Sequence, residues 1–170
     1  MTTAHVGHVM DWLRDAHAME QQAEVMLKEM VDRLEHYPQL RAHIEDHLEY
    51  TRGQQMLLKG CIERLSGSPS TLKDVMGKVI AFGQSVAGMA VSDEVVKGAM
   101  SVYVFSHMEI ASYTILIAAA KAIGDNETQR VCEDILQQEK AMAEWLSGHL
   151  PEVTQAFLAH SATPGVNAKR

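Results

Sequence analysis

The chain has 170 residues, 46% of them hydrophobic and 22% charged, with a net charge of -7 at pH 7. That is enough apolar sequence for one domain with a sizeable core. The acidic balance leaves no basic field to engage phosphates, which argues against a nucleic-acid partner.

A first helix is predicted from about Val6 to Glu35. Leu13, Ala16, Ala23, Leu27, Met30, Val31 and Leu34 recur at helical spacing, and Glu20 falls in the middle of that stripe. His36-Tyr37-Pro38 reads as a turn, with Pro38 suited to the first position of the next helix. The second helix runs from about Pro38 to Leu65. Its inward face carries Leu40, Ile44, His47, Thr51, Gln55, Leu58, Ile62 and Leu65, with Glu49 pointing away. A loop at Ser66-Gly67-Ser68-Pro69-Ser70 follows. Residues 71–89 read as a shorter helix weakened by Gly77, Gly83 and Gly88, taken as a crossover between two hairpins.

Ser92 or Asp93 can cap a third long helix ending near Ile123. One of its faces has Val102, Phe105, Tyr113, Leu116, Ala120 and Ile123, and another has Val104, Ala111, Ile115 and Ala118. A helix apolar on most sides is usually buried on two of them, so a homodimer through this helix is expected. Gly124 suits a C-cap and Asp125 or Asn126 an N-cap. The fourth helix then runs from about Glu127 to His149, with Val131, Cys132, Ile135, Met142 and Leu146 inward beside Glu139. Pro151 interrupts or ends it, and Val153 to His160 adds a last turn or two. The expected domain spans residues 1–160, and residues 161–170 form a frayed tail.

Hairpin, crossover, hairpin is the topology of an all-α, ferritin-like four-helix bundle: two antiparallel hairpins joined by a crossover containing a short helix. Cys61 and Cys132 match no CxxC pattern and are expected as buried free thiols. The start, MTTAHVGHVMDWLRD, lacks a basic stretch followed by an apolar one. The longest apolar run, from Ile110 to Ala120, is broken by Ser112, Tyr113 and Thr114 and falls short of the ~20 residues of a membrane span. A cytoplasmic protein with no membrane partner is the expectation.

Glu20, His47, Glu109 and Glu139 each stand inside an otherwise apolar stripe. A buried carboxylate without a proton, a hydrogen bond or a cation costs several kcal/mol. The four are therefore candidate ligands of a carboxylate-bridged metal centre. Depth along the helices tests the idea. At a rise of ~1.5 Å per residue, Glu109 and Glu139 both lie about 22 Å from the turn at Gly124. Around the turn near Tyr37, Glu20 lies about 25 Å out but His47 only about 15 Å, and Thr51 and Gln54 are nearer Glu20's level. A full ferritin-type site uses two Glu-x-x-His pairs. Here Met142 stands where the histidine of Glu139-x-x-His would be, and the second helix offers Thr51-x-x-Gln54. Tyr113, one turn from Glu109, is a candidate to orient that carboxylate.

The runs LRDAHAMEQQ, IEDHLEYTRGQQMLL, FSHMEIASYT and LQQEKAMAEWL resemble the YciE/YciF family of bacterial ferritin-like stress proteins over about residues 10–150. The resemblance implies a ferritin-like homodimer with a stress-response role and a dinuclear iron or manganese centre. It also implies peroxide handling similar to that of manganese catalases, an oxidoreductase activity if the protein is an enzyme. Ser106 stands where relatives often have Glu and Ala143 where they often have Asp. Both departures remove ligands and favour the alternative, a metal-free structural or partner-binding protein with a degenerate site.

Overall fold

The computed structural model describes residues 3–66 and 95–168. They form four α-helices: α1 (Thr3–Val31), α2 (Pro38–Ser66), α3 (Val95–Ile123) and α4 (Asn126–Ser161). The crossover helix expected at residues 71–89 lies outside the described residues. Helix α1 packs on α2 and α3, and α4 packs on α3 and α2, whereas the diagonal pairs barely meet. The result is a square bundle of two hairpins.

The turns show why the chain reverses where it does. After α3, Gly124 adopts φ 72°. Its N–H donates to the Lys121 carbonyl at 3.1 Å, and the N–H of Asp125 donates to the Ala120 carbonyl at 2.9 Å. This is the Schellman pattern, which uses glycine because a Cβ resists a left-handed backbone. Asp125 then caps α4 by accepting from the Thr128 N–H at 3.2 Å. Arg64, from the far end of α2, clamps this turn. Its guanidinium donates to both Asp125 carboxylate oxygens at 2.7 and 2.8 Å and to the Thr128 hydroxyl at 2.8 Å.

The first helix ends at Val31, short of the expected Glu35. The N–H groups of Arg33 and Leu34 turn back to the Met30 and Val31 carbonyls, so the chain tightens while still burying Leu34. Pro151 does not interrupt α4, which is continuous to Ser161. A proline removes one backbone hydrogen bond, but Val153 and Phe157 beyond it pack with Tyr37, Leu40 and Leu146, and that burial holds the helix together. The segment expected to fray from residue 161 is tied down at Ala168, whose carbonyl accepts from the Tyr37 hydroxyl at 2.7 Å. On α2 the buried stripe is broader than the expected face: Leu48 and Gln54 are buried as well, while Gln55 and Leu65, placed inward, are half-buried.

Helix α3, at 29 residues, is long and apolar enough by length and composition to cross a membrane, unlike the shorter run read from the sequence. In the bundle its Ala99, Val102, Phe105, Tyr113 and Leu116 are core residues packed toward α1 and α4. Its opposite face leaves Met100, Val104 and Ile115 exposed.

The core has two apolar halves. One gathers Leu13, Met19, Leu58, Ile62, Phe105, Leu116 and Ile135, and the other Leu27, Met30, Ile44, Val102, Met142 and Leu146. A polar layer lies at their boundary: Thr51 and Gln54 on α2 and Glu139 on α4 fall between the two halves in chain position, while Glu20 and Glu109 stand inside the first half, near its border. Replacing Gly124 by Ala forces a Cβ into the left-handed region and should lower the unfolding free energy by roughly 1–2 kcal/mol in urea titration, with no change in helix content.

Candidate metal centre

Each helix contributes to the polar layer: Glu20 from α1; His47, Thr51 and Gln54 from α2; Ser106, Glu109 and Tyr113 from α3; Glu139 from α4. Glu20, Thr51, Tyr113 and Glu139 are fully buried, Gln54, Ser106 and Glu109 nearly so, and His47 is 5% exposed.

Glu139 is the hub. One of its oxygens accepts from the Gln54 amide at 2.8 Å. The other lies 3.2 Å from Nε2 of His47. Glu109 and Glu139 also lie close enough for each carboxyl to shift the titration of the other, Glu109 upward and Glu139 downward. The depth mismatch on α2 is thus resolved by reach. His47 and Gln54, two turns apart, approach Glu139 from either side of Thr51. Thr51 itself turns back to its own helix, donating to the His47 carbonyl at 3.1 Å.

Tyr113 was expected to orient Glu109, its neighbour one turn away. It instead donates to Glu20 across the α1–α3 interface. Helical spacing alone could not show this partner, because it depends on how the two helices face each other.

The four titrating groups are pushed apart. Burial raises Glu20 well above the usual carboxylate range; the Glu139 charge adds to the rise, and the Tyr113 hydrogen bond opposes it. Glu109 is raised in the same way by burial, then by the charges of Glu139 and Glu20. Burial also pushes Tyr113 upward, reinforced by Glu20. Burial pushes Glu139 upward too, but His47, Glu109 and Gln54 outweigh it and bring it below its ordinary value. The layer thus favours the protonated forms of Glu20 and Glu109 and the charged form of Glu139.

Among the described residues, no three His, Cys, Asp or Glu side chains close on one point as ligands of a single ion would. Even so, within the layer Oε2 of Glu20, Oε1 of Glu109, Oε1 of Gln54 and, apart from the His47 contact, Oε2 of Glu139 are buried with no hydrogen-bond partner. Such orphaned lone pairs are expensive in a dry core. The donor chemistry, carboxylate oxygens with one imidazole nitrogen, fits iron or manganese. Ser106, Met142 and Ala143 are buried beside the layer and offer no further carboxylate or imidazole.

Sequence reasoning missed Gln138, whose carbonyl oxygen accepts from the Gln54 amide at 2.9 Å. Glu24 is only 21% exposed and accepts from Lys28 at 2.6 Å, Arg52 at 3.2 Å and Gln55 at 2.8 Å. Its i,i+4 relation to Lys28 was the available signal. Cys61 and Cys132 are buried and free, and burial pushes the Cys132 thiol up to about 12.

Fold and site together define a ferritin-like four-helix bundle with a carboxylate layer across its middle. The chain belongs to the family described as "Domain of unknown function (DUF892)", whose pattern matches residues 7–159. A crystal structure of a protein from Xanthomonas campestris pv. campestris is 41% identical, covers 94% of this chain and 99% of its own, and superposes with a TM-score of 0.78. YcfI from Rhodopseudomonas palustris is 25% identical, with coverage of 86% and 94% and a TM-score of 0.65. The E. coli stress protein YciF shares the fold at 20% identity, with coverage of 88% and 96% and a TM-score of 0.68. The YciE/YciF resemblance and the ferritin-like fold read from the sequence are both borne out.

The partners of Glu24 lower its pKa from 4.5 to about 2. A depressed carboxylate contributes stability that is complete above its unfolded pKa and is lost as pH falls toward the folded one. Acid titration of the melting temperature between pH 4.5 and 2 should therefore fall less steeply in Glu24→Gln than in the parent chain. Parallel curves would show that the ion-pair cluster is too solvated to matter.

Proposed function

We propose that the polar layer is a carboxylate-rich metal centre for iron or manganese, held by Glu20, His47, Glu109 and Glu139. The observation that carries this reading is the pair of orphaned carboxylate oxygens, on Glu20 and Glu109, beside the hub carboxylate Glu139. A cation would satisfy lone pairs that the protein leaves bare, and would displace the protons from Glu20 and Glu109. His47 would serve as a neutral nitrogen ligand. Gln54 and Tyr113 would orient Glu139 and Glu20 from outside the ligand set, and the flanking Met142 and Phe105 would keep water out.

A bound iron or manganese ion, or a bridged pair of them, would supply oxidation-state chemistry toward peroxide. With three carboxylates and one imidazole, the donor set is smaller than the ferritin type. We infer a role in the cytoplasmic stress response, with peroxide as the substrate class; the resemblance to the YciE/YciF family supports this reading.

One geometric fact favours a second reading. The side chains of the layer are turned toward one another rather than toward a common point. A metal-free core that shares protons between Glu109 and Glu139 would serve a structural or partner-binding protein. A structural role has been suggested for YcfI.

Glu109→Gln separates the two readings. Glutamine keeps the shape and can donate to Glu139 as the protonated acid does. The raised pKa of Glu109 means its proton stabilises the fold, a contribution that fades as pH rises through the folded value. The metal-free variant should therefore melt no lower than the metal-free parent near neutral pH and higher in alkaline buffer. If the layer is a metal centre, elemental analysis should find iron or manganese in the parent and little in Glu109→Gln. Chelation should lower the melting temperature of the parent only. No metal in the parent after reconstitution would leave the proton-sharing core.

We also propose a homodimer through α3. Exposed Val104, Ile115 and Met100 form an unpaired apolar face, and Trp12 of α1 lies near its Ile115 end between cavities of 310 and 400 Å³. Ile115→Glu should shift the mass measured by light scattering from two chains to one. An unchanged mass would move the interface elsewhere.

A further inference from the structure

A buried centre needs a way in, and the four sides of the bundle are not alike. Helices α3 and α4 pack most closely. Helices α1 and α3 meet where Met30 lies against Gly98, so closely that a Cβ there would stand 2.5 Å from the sulfur. The 310 Å³ cavity farther along that side is lined by Trp12, Met19, Ile115 and Leu116, among others, and by no residue of the centre. Across the α1–α2 side, Glu24 stands near the Glu20 turn, but it is held in a closed ion-pair cluster with Lys28 and Arg52, which also pairs with Glu49, and it accepts from Gln55. A carboxylate already paired in this way offers an incoming cation little.

The α2–α4 side differs. These two helices meet more sparsely than the other adjacent pairs. Aromatic rings close the seam at one end: Trp145 of α4 lies between His43 of α2 and His149, with ring centroids 3.9 Å apart on each face. Arg64 and Asp125 close it at the other end, 2.7 Å apart. Midway, over the hub carboxylate, the closure is only a pair of neutral amides. Gln54 donates to Glu139 at 2.8 Å and to half-buried Gln138 at 2.9 Å. Both N–H groups of Gln54 are thus used, and its oxygen is buried without a partner. His47, the one residue of the centre with 5% exposure, is on this same seam.

We propose that the Gln54–Gln138 pair is the gate through which a hydrated divalent cation reaches Glu139 and His47. The inference rests on the metal-centre reading above. Gln138 presents a carbonyl oxygen at the mouth, a neutral ligand that can replace a water of hydration without holding the ion. Breaking the amide–amide bond frees Gln54 to rotate, so that its unpartnered oxygen faces the passing ion while Glu139 draws it inward. Once the ion has passed, the amides re-pair and the layer is dry again. No covalent or redox step is involved.

A gate that is not a ligand changes the rates of loading and release together and leaves the dissociation constant unchanged. The test follows free Mn²⁺ by its paramagnetic resonance signal after mixing with metal-free full chain, and follows release into excess chelator. Gln138→Leu, which plugs the mouth with an apolar side chain, should slow both processes several-fold at constant affinity. Trp12→Leu, on the α1–α3 side, should leave them as they were. Circular dichroism would confirm that both variants are folded. Unchanged rates in Gln138→Leu, a changed affinity, or equal slowing in Trp12→Leu would each overturn the gate while leaving the metal centre standing. Absence of Mn²⁺ uptake by the parent, or uptake retained in Glu109→Ala/Glu139→Ala, would overturn the metal reading and the gate with it.

Discussion

Three carboxyl groups share one dry layer in this bundle, and most of the arrangement around them answers that constraint. Like charges at such distances in a low-dielectric interior cannot all ionise. The layer resolves the conflict by division. His47, Glu109 and Gln54 converge on Glu139 and favour its charged form, while burial favours the protonated forms of Glu20 and Glu109. Every helix must therefore be in register at this level. A slip of one residue on any helix would swing its polar group by about 100° into the apolar halves of the core.

That requirement gives the turns their importance. The Schellman turn at Gly124 and the Asp125 cap set α3 against α4 so that Glu109 and Glu139 meet at equal depth. Arg64 ties the end of α2 to the same turn. The long α4 runs through Pro151 because the residues beyond it, with Tyr37 and Ala168, close the far end of the bundle. Two apolar clusters meet at the layer and supply the burial that offsets its polar groups.

The same layer serves either as ligands or as a proton-sharing core, and the difference lies in which partner takes the orphaned lone pairs. A cation answers the bare oxygens of Glu20 and Glu109. Protons shared with Glu139 and Tyr113 answer only some of them. Membership in the family and the likeness to solved bundles establish the architecture, not the chemistry, since one fold can host unrelated functions.

Much of this was written in the sequence. Apolar residues at a period of 3.6 declare four long helices, and Gly124-Asp125 and Tyr37-Pro38 declare the reversals, because their conformational preferences are local. Glu20, His47, Glu109 and Glu139 were legible as candidates because a charge inside an apolar stripe has no local explanation, and all four are buried in the layer. What the tertiary structure decided was partnership. Tyr113 serves Glu20 and not Glu109, Gln54 rather than Gln55 faces the core, and Gln138 closes over the hub. Pro151 is absorbed into α4 for the same kind of reason. Each of these depends on the rotation of one helix against another, which is set by side-chain packing summed over whole faces. No local stretch of sequence encodes that sum, so it appears only when the four helices are assembled.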